Sequence, residues 1–255
     1  MRIAVSGKGG VGKTTITALL CSSFQIAGYQ VLAIDADPDA NLAATLGIPN
    51  PEKIVPIVDM KELISERTGV QPGTMGMFFK LNPRVDDIPE KFSVTHNGIR
   101  LLVMGKVKKA GSGCYCPENA FIKELISYLF LEEKDIVIMD MEAGIEHLGR
   151  GTSSGVDAFI IIVEPGKRSL ETAQRIMRLA LETEIKSCYI IVNKIHGEDD
   201  ISFVKGFFTD ENIIGMIPYS EDIVKSGRAD NGIRIEDITP IDSIRNKLIK
   251  GVMNG

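Results

Sequence analysis

The sequence predicts an α/β fold: a doubly wound, mostly parallel sheet of about seven or eight strands flanked by helices. Two observations lead to this prediction. Short runs rich in Val, Ile and Leu recur along the 255 residues and are apolar throughout, as expected of strands buried on both faces. Longer segments with apolar residues at helical spacing lie between several of these runs, which is the chain order of a parallel sheet with crossover helices.

Seven apolar runs of the sequence are predicted to be strands. In chain order they are RIAVS (2–6), YQVLAIDAD (29–37), IRLLVMG (99–105), DIVIMDM (135–141), DAFIIIVEP (157–165), CYIIVNKI (188–195) and IIGMIPY (213–219). Helices are predicted from Lys13 to about Ala27, over 117–133 and over 169–184.

One domain spanning residues 1–255 is expected, because neither an internal repeat nor a low-complexity linker divides the chain. Residues 50–98 depart from the regular order of strands and helices. They are rich in proline and contain a short predicted helix near Asp59 to Glu66. We expect this region to be an insertion packed on one edge of the sheet.

The composition excludes several classes of partner. Net charge is −5 and no long run of Lys or Arg occurs, so we expect no nucleic acid partner. No apolar run reaches the roughly 18 residues of a membrane helix, and the N-terminus lacks the apolar region of a secretory signal. We therefore expect a cytoplasmic protein with no membrane partner. Its four cysteines are expected to be thiols or metal ligands.

The segment GKGGVGKTT, residues 7–15, follows the first predicted strand and opens the first predicted helix. It matches the P-loop pattern G-x-x-x-x-G-K-[ST], and so predicts a P-loop NTPase architecture. Backbone N–H groups and the positive end of the helix surround phosphate oxygens in such a loop. Lys13 is expected to neutralise β/γ-phosphate charge, and the Thr14 hydroxyl to bind Mg²⁺. The predicted nucleotide-binding residues of the loop are Gly9, Gly10, Val11, Gly12, Lys13, Thr14 and Thr15.

Aspartates end two further predicted strands, at the edge where ligands of such sheets bind. Asp140 closes the run IVIMD and is expected to hold Mg²⁺ through water. Asp35 lies at the end of the second strand, where a structural role and a functional role both remain open.

The base is predicted from the ends of two later strands. Asn193 and Lys194 begin a segment resembling N-K-x-D, but His196 stands where a guanine-specific site has aspartate. Adenine is therefore favoured over guanine. Pro218 and Tyr219, at the end of the next strand, are placed to cover the ring.

The segment GSGCYCPENAF contains two cysteines separated by one residue, Cys114 and Cys116. A disulfide at this spacing is strained, whereas the start of the helix opened by Pro117 favours thiolates that bind metal. Two ligands do not complete a tetrahedral site, and Cys21 and Cys188 are predicted to be buried apolar residues. A second copy of the chain would supply the missing pair. The alternative is a structural pair of cysteines in a loop.

Four segments together resemble one family over nearly the whole chain: SGKGGVGKTT, DADPDANLAATLG, GSGCYCPENAF and MDMEAGIEHLGRGT. They are similar to the CooC-type ATPases that mature nickel-containing carbon monoxide dehydrogenase, in the MinD/ParA/nitrogenase-iron-protein class of deviant P-loop NTPases. Close relatives serve acetyl-CoA synthase. The resemblance implies ATP/ADP and Mg²⁺ as cofactors, with Ni²⁺ or Zn²⁺ shared between subunits at Cys114 and Cys116.

The resemblance also implies roles for residues around the phosphates. Lys8 would reach the nucleotide of the facing subunit, so that hydrolysis requires a homodimer. Asp37-Pro38 matches the switch I loop, where Asp37 is assigned to Mg²⁺ and catalysis. Asp39 is the candidate for activating water, although Asn41 stands where some relatives have a second aspartate. Lys8 and Lys13 complete the predicted catalytic set.

Three further roles follow from the same resemblance. The N–H group of Gly144, in the switch II segment, would sense the γ-phosphate. The Asn193 side chain would hydrogen-bond adenine, and the segment containing Pro218 would pack against the ring.

These assignments predict a homodimeric ATPase that inserts nickel into carbon monoxide dehydrogenase or acetyl-CoA synthase. One alternative is a MinD/ParA-like positioning ATPase, which needs a membrane helix or a DNA-binding surface. The terminal segment IDSIRNKLIKGVMNG is instead predicted to be a packing helix. Another alternative is an iron-protein-like reductase, although adjacent CxC sulfurs suit one small ion better than a four-iron cluster.

Overall fold

The structure is a computed structural model of the chain. It describes residues 1–71, 78–105, 117–142, 144, 155–183, 185, 187–226, 232–233 and 239–253. The predicted metal pair, Cys114 and Cys116, lies outside the described residues.

An eight-stranded sheet forms the centre of the fold, with strand order β3-β4-β2-β5-β1-β6-β7-β8. All neighbouring strands are parallel except β3 and β4. The predicted α/β fold class is therefore confirmed. The strands are β1 (Arg2–Gly7), β2 (Val31–Ala36), β3 (Val94–His96), β4 (Ile99–Val103), β5 (Ile136–Met141), β6 (Ala158–Val163), β7 (Cys188–Ile195) and β8 (Ile213–Pro218).

Helices cover both faces of this sheet. Their bounds are α1 (Lys13–Ile26), α2 (Leu42–Thr45), α3 (Lys61–Thr68), α4 (Ile88–Phe92), α5 (Pro117–Leu131), α6 (Lys167–Glu182), α7 (Glu198–Lys205), α8 (Glu221–Ser226) and α9 (Thr239–Met253). Short 3₁₀ turns occupy Pro51–Lys53 and Ile57–Asp59. No helix within the described ranges is long and apolar enough to cross a membrane.

The inner strands are buried on both sides because each sheet face has its own hydrophobic core. On one face, α1 and α9 pack over residues such as Ile3 and Val5 of β1. On the other face, α5 and α6 pack over the alternate residues, among them Ala4. Successive strand residues point to opposite faces, so uninterrupted apolar runs are what this three-layer arrangement requires.

Residues 50–98 contribute α3, α4 and the edge strand β3, and α3 packs on α5. Arg67 and Asp87 join α3 to the start of α4 through two hydrogen bonds of 3.0 and 2.8 Å. The Arg67 guanidinium, with Lys91 beside it, holds the pKa of Asp87 well below its usual range. The predicted short helix exists but begins and ends two residues later than expected, at Lys61 and Thr68. The division of the chain into one domain with an insertion remains a prediction.

The connections out of the central strands create the cleft in which a ligand is expected. Strands β5 and β1 are neighbours in the middle of the sheet. The connection from β1 leads toward one edge of the sheet, to β2, and the connection from β5 leads toward the opposite edge, to β6. Ligands of doubly wound sheets bind outside the carboxyl ends of strands at such a reversal.

Candidate nucleotide site

The glycine-rich loop connects β1 directly to α1. Gly12 precedes the helix in a left-handed conformation, with φ of 96°, and α1 has no side-chain cap at its N-terminus. The first N–H groups of a helix have no partner within the helix, and here no side chain caps them. This end of α1 is therefore suited to anionic oxygens, as the sequence predicts.

Two consecutive residues of β7 hold the loop from the side. The Asn193 Nδ2 atom donates a 2.9 Å hydrogen bond to the Val11 carbonyl, and a Cβ atom on Gly12 would lie 2.5 Å from that nitrogen. Lys194 Nζ donates to the Gly10 carbonyl at 2.6 Å and lies 3.0 Å from Glu164 Oε2. Asn193 and Lys194 thus shape the loop, which the sequence reasoning did not foresee.

The adenine contact assigned to Asn193 remains a prediction alongside this structural contact. Its Nδ2 atom is engaged with the loop, so the free side of the amide would have to meet the base. Tyr219 stacks on His196 with ring centroids 4.8 Å apart. The backbone N–H of Tyr219 donates a 2.9 Å hydrogen bond to the Ile195 carbonyl. Pro218 is exposed beside this pair. The two predicted base-covering residues therefore adjoin the end of β7.

Lys13 is largely buried at the start of α1, with 8% of its surface exposed. Its Nζ atom lies 4.0 Å from Asp37 Oδ2. The next candidate, Asp39, is exposed and donates its own N–H to Asp37 Oδ1 at 3.1 Å. Lys8 is partly exposed in the loop. The structure thus brings Lys13 and Asp37 together and leaves the Asp39 carboxylate facing outward.

Asp35 and Asp140 are paired in register on the adjacent strands β2 and β5. Both side chains are fully buried on the face covered by α1. The Asp35 carboxylate accepts the N–H groups of Leu42 at 2.9 Å and Asp37 at 3.3 Å. Burial nevertheless raises the pKa of Asp35 to about 6. These two bonds anchor the segment after β2, so the geometry gives Asp35 a structural role.

Asp140 has no comparable partners. Neither carboxylate oxygen accepts a hydrogen bond from the described residues, and the Thr14 hydroxyl lies beside it without completing one. Burial raises the pKa of Asp140 to about 7, with the nearby Asp35 raising it further and Thr14 and Lys13 opposing the rise. A buried carboxylate without partners next to a hydroxyl fits the oxygen ligands and bridging water of Mg²⁺.

Gly144 lies just beyond β5 and is fixed by one side chain. Its N–H donates to Ser6 Oγ at 3.1 Å, while the Ser6 hydroxyl lies 3.0 Å from the Gly144 carbonyl. Ser6 was not singled out from the sequence. A polar residue in the apolar run RIAVS, directly before the glycine loop, is the signal that could have found it. Glu164 could have been found similarly, because it follows β6 at the carboxyl edge.

Cys21 is buried as the sequence predicts, whereas Cys188, also predicted to be buried, is only partly buried at the start of β7. Cys21 is fully buried, and burial raises its thiol pKa far above the usual value; burial also raises the pKa of Cys188 to about 12. Within the described part of the chain, no three or more His, Cys, Asp or Glu side chains are grouped to hold a metal ion.

The class of P-loop nucleotide hydrolases is defined by such a mostly parallel sheet, with a glycine loop after a central strand, a buried lysine and a buried carboxylate that accepts no hydrogen bond from the described residues. Residues 3–233 match the model of the CobQ/CobB/MinD/ParA nucleotide-binding domain. The carbon monoxide dehydrogenase accessory protein CooC of Rhodospirillum rubrum is 47% identical over 242 residues, which cover 94% of this chain and 91% of that protein. The chain belongs to the CooC-type ATPases of the CobQ/CobB/MinD/ParA family, and it is an ATP-hydrolysing enzyme.

Other similar proteins agree with this placement. An uncharacterised ATP-binding protein of Methanocaldococcus jannaschii is 41% identical over 255 residues, covering 98% of each chain. The MinC:MinD cell division protein complex of Aquifex aeolicus contains a chain with a TM-score of 0.68 and 24% identity, covering 98% of this chain and 96% of that one. The second likeness shows the fold.

Proposed function

We propose that this protein is a homodimeric ATPase that serves the maturation of carbon monoxide dehydrogenase, or of the related acetyl-CoA synthase, by inserting nickel. The observation that carries the proposal is the 47% identity to CooC across 94% of the chain. ATP binding brings two subunits together and changes the geometry of metal ligands at their interface. Hydrolysis reverses the change and releases the ion to the client enzyme.

Residues of the candidate site divide the nucleotide chemistry among them. Lys13 and the N-terminal N–H groups of α1 bind the phosphates, and Thr14, Asp37 and Asp140 would hold Mg²⁺. A bound Mg²⁺ neutralises charge that develops between the β- and γ-phosphates. Asp39 orients and deprotonates the attacking water.

Lys8 contributes from the facing subunit and so makes hydrolysis depend on the dimer. Its place in the loop supports this role, because the loop's other lysine, Lys13, is already buried at the start of α1.

The chain order supports coupling between nucleotide and metal. Cys114 and Cys116 directly precede α5, whose first residue, Pro117, is buried. A crossover helix runs antiparallel to its strands, so α5 begins at the carboxyl edge of the sheet. From α5 the chain continues into β5, which carries Asp140. One helix–strand unit therefore joins the predicted metal ligands to the predicted magnesium ligand.

Metal titration tests the proposal. Ni²⁺ and Zn²⁺ are titrated into wild type, Cys114→Ser and Cys116→Ser, each with and without a non-hydrolysable ATP analogue. We expect one ion per two chains in wild type, at least about tenfold weaker binding in either variant, and an affinity that changes with the nucleotide. Cys188→Ser is the matched control, because this partly buried thiol lies at the start of β7. Equal metal affinity in both nucleotide states, with unchanged assembly, would remove the proposal.

The rival functions differ in observable ways. A MinD-like role needs a membrane helix, but α9 buries Ile241, Ile244 and Leu248 in the core beside α1. Its apolar face is thus occupied, and pelleting with liposomes in the presence of ATP would be required to revive this role. An iron-protein-like reductase would show the absorption of an iron–sulfur cluster under anaerobic conditions, which a single Zn²⁺ or four-sulfur Ni²⁺ site does not.

A further inference from the structure

Ser6 connects the strand before the phosphate loop to the segment after β5. Its side chain is fully buried, and its Oγ atom accepts the Gly144 N–H at 3.1 Å. The same hydroxyl lies 3.0 Å from the Gly144 carbonyl and 3.2 Å from the Glu142 carbonyl. A hydroxyl carries one hydrogen, so it donates to one of these carbonyls at a time. The Ser6 hydroxyl therefore accepts the Gly144 N–H and donates to the carbonyl of either Gly144 or Glu142.

The backbone N–H of Gly144 is the group that the family resemblance assigns to the γ-phosphate. It carries one hydrogen, which in this structure points to Ser6. A strong second acceptor must therefore displace the serine oxygen. Gly144 has a φ of 134°, a value in the range that favours glycine, and a glycine can also adopt other backbone conformations without the steric cost of a Cβ atom.

We infer that Ser6 is a positioning residue for the ATPase cycle: its hydroxyl holds Gly144 when no γ-phosphate is bound, and the γ-phosphate of ATP takes over the Gly144 N–H. ADP lacks the γ-phosphate and leaves the serine bond in place. Ser6 consequently sets part of the difference between ATP and ADP binding. The inference rests on the role proposed for Gly144 and is independent of the metal and of the client enzyme.

Ser6→Ala removes the competing acceptor. The nucleotide-free state loses a buried hydrogen bond, while the γ-phosphate contact of the ATP state is kept. A net hydrogen bond corresponds to roughly a threefold to tenfold change in an equilibrium constant. We therefore expect the ratio of the ADP Kd to the Kd of a non-hydrolysable ATP analogue to rise about threefold to tenfold. The Kd for ADP itself should change by less than about twofold.

Calorimetric titration with Mg²⁺, ADP and an imido-bridged ATP analogue measures this ratio. Ser6→Thr keeps the hydroxyl and should return the ratio to the wild-type value. Ser23→Ala is the matched control: Ser23 is equally buried, but its hydroxyl donates to Asp242 at 2.7 Å, away from the phosphate loop. This variant should lose stability and keep the ratio. A folded Ser6→Ala protein with the wild-type ratio would overturn the inference.

A measurement on the wild type covers the case in which Ser6→Ala does not fold. The ¹⁵N–¹H resonance of Gly144 should be alike in nucleotide-free and ADP-bound protein and should shift with the ATP analogue. One unchanged resonance in all three states would also overturn the inference. The protein could fail to deliver nickel while Ser6→Ala still changed the ratio of the two nucleotide Kd values. The proposed function and this inference can therefore be refuted independently.

Discussion

Replacing Asp140 by asparagine should stabilise the nucleotide-free protein at alkaline pH while abolishing Mg²⁺-dependent hydrolysis. The Asp140 carboxyl is fully buried, and burial raises its pKa from 3.8 to about 7. At about 1.4 kcal/mol for each pH unit, ionising it in the folded state costs on the order of 4 kcal/mol. A buried amide with incomplete partners costs about 1–3 kcal/mol. The expected net gain is therefore about 1–3 kcal/mol.

The pH dependence of this gain follows from linkage. Below pH 3.8 both the folded and the unfolded protein carry a protonated Asp140, so ionisation costs nothing. As the pH rises toward about 7, the unfolded carboxyl loses its proton and the folded one keeps it, and stability falls. Above about 7 the full cost is present. The gain from asparagine should thus be large at pH 8.5 and close to zero at pH 5.

Urea unfolding in EDTA at the two pH values measures these free energies. Asp35→Asn is the matched control, because Asp35 accepts two backbone N–H groups and an amide has only one acceptor oxygen to offer them. It should lose about 1–3 kcal/mol at pH 5, where Asp140→Asn is nearly neutral. If Asp140→Asn unfolds with the same pH dependence as wild type, the argument from its burial is refuted.

Three further substitutions follow from contacts in the structure. Gly12→Ala would force a left-handed residue and place its Cβ 2.5 Å from Asn193 Nδ2, so thermal unfolding should show a loss of about 1–3 kcal/mol; an unchanged Tm would contradict this. Arg67→Ala removes the two hydrogen bonds to Asp87 and should lower the free energy of unfolding in urea by about 1–3 kcal/mol. The affinity for ATP should not change, and weaker ATP binding would show that residues 50–98 reach the site. Lys194→Met removes the cross-link to the loop and should weaken ATP binding about threefold to tenfold in calorimetric titration, an expectation that an unaltered Kd would disprove.

The fold was accessible from the sequence because its strongest signals are local. The run CYIIVNKI predicts β7 with its observed bounds, since this strand lies inside the sheet and needs apolar side chains on both faces. The edge strand β3 was missed, because Val94–His96 has three residues and is half exposed. Such a strand exists through pairing with β4, and pairing is a tertiary interaction.

Some features of the candidate site were also predictable from the local sequence, and others were not. Lys13 and Thr14 were identifiable because all the residues of the P-loop pattern lie within one short, continuous segment. The ties from Asn193 to Val11 and from Ser6 to Gly144 span 182 and 138 positions, so no local pattern contains them. Only the three-dimensional structure could show that the Asp35 oxygens have backbone partners and that the Asp140 oxygens have none among the described residues.

The bonds from β7 to the phosphate loop have a consequence for the entropy of nucleotide binding. Ordering a flexible loop around a ligand subtracts from the affinity, by about 1–2 kcal/mol for each backbone residue that becomes fixed. Here Asn193 and Lys194 hold the carbonyls of Val11 and Gly10 through contacts made within the protein. The loop is therefore ordered when the protein folds, and its conformational entropy is not lost again on nucleotide binding. Strand β7, two places away from β1, therefore strengthens phosphate binding by excluding alternative conformations of the phosphate loop. It does so without contacting a phosphate.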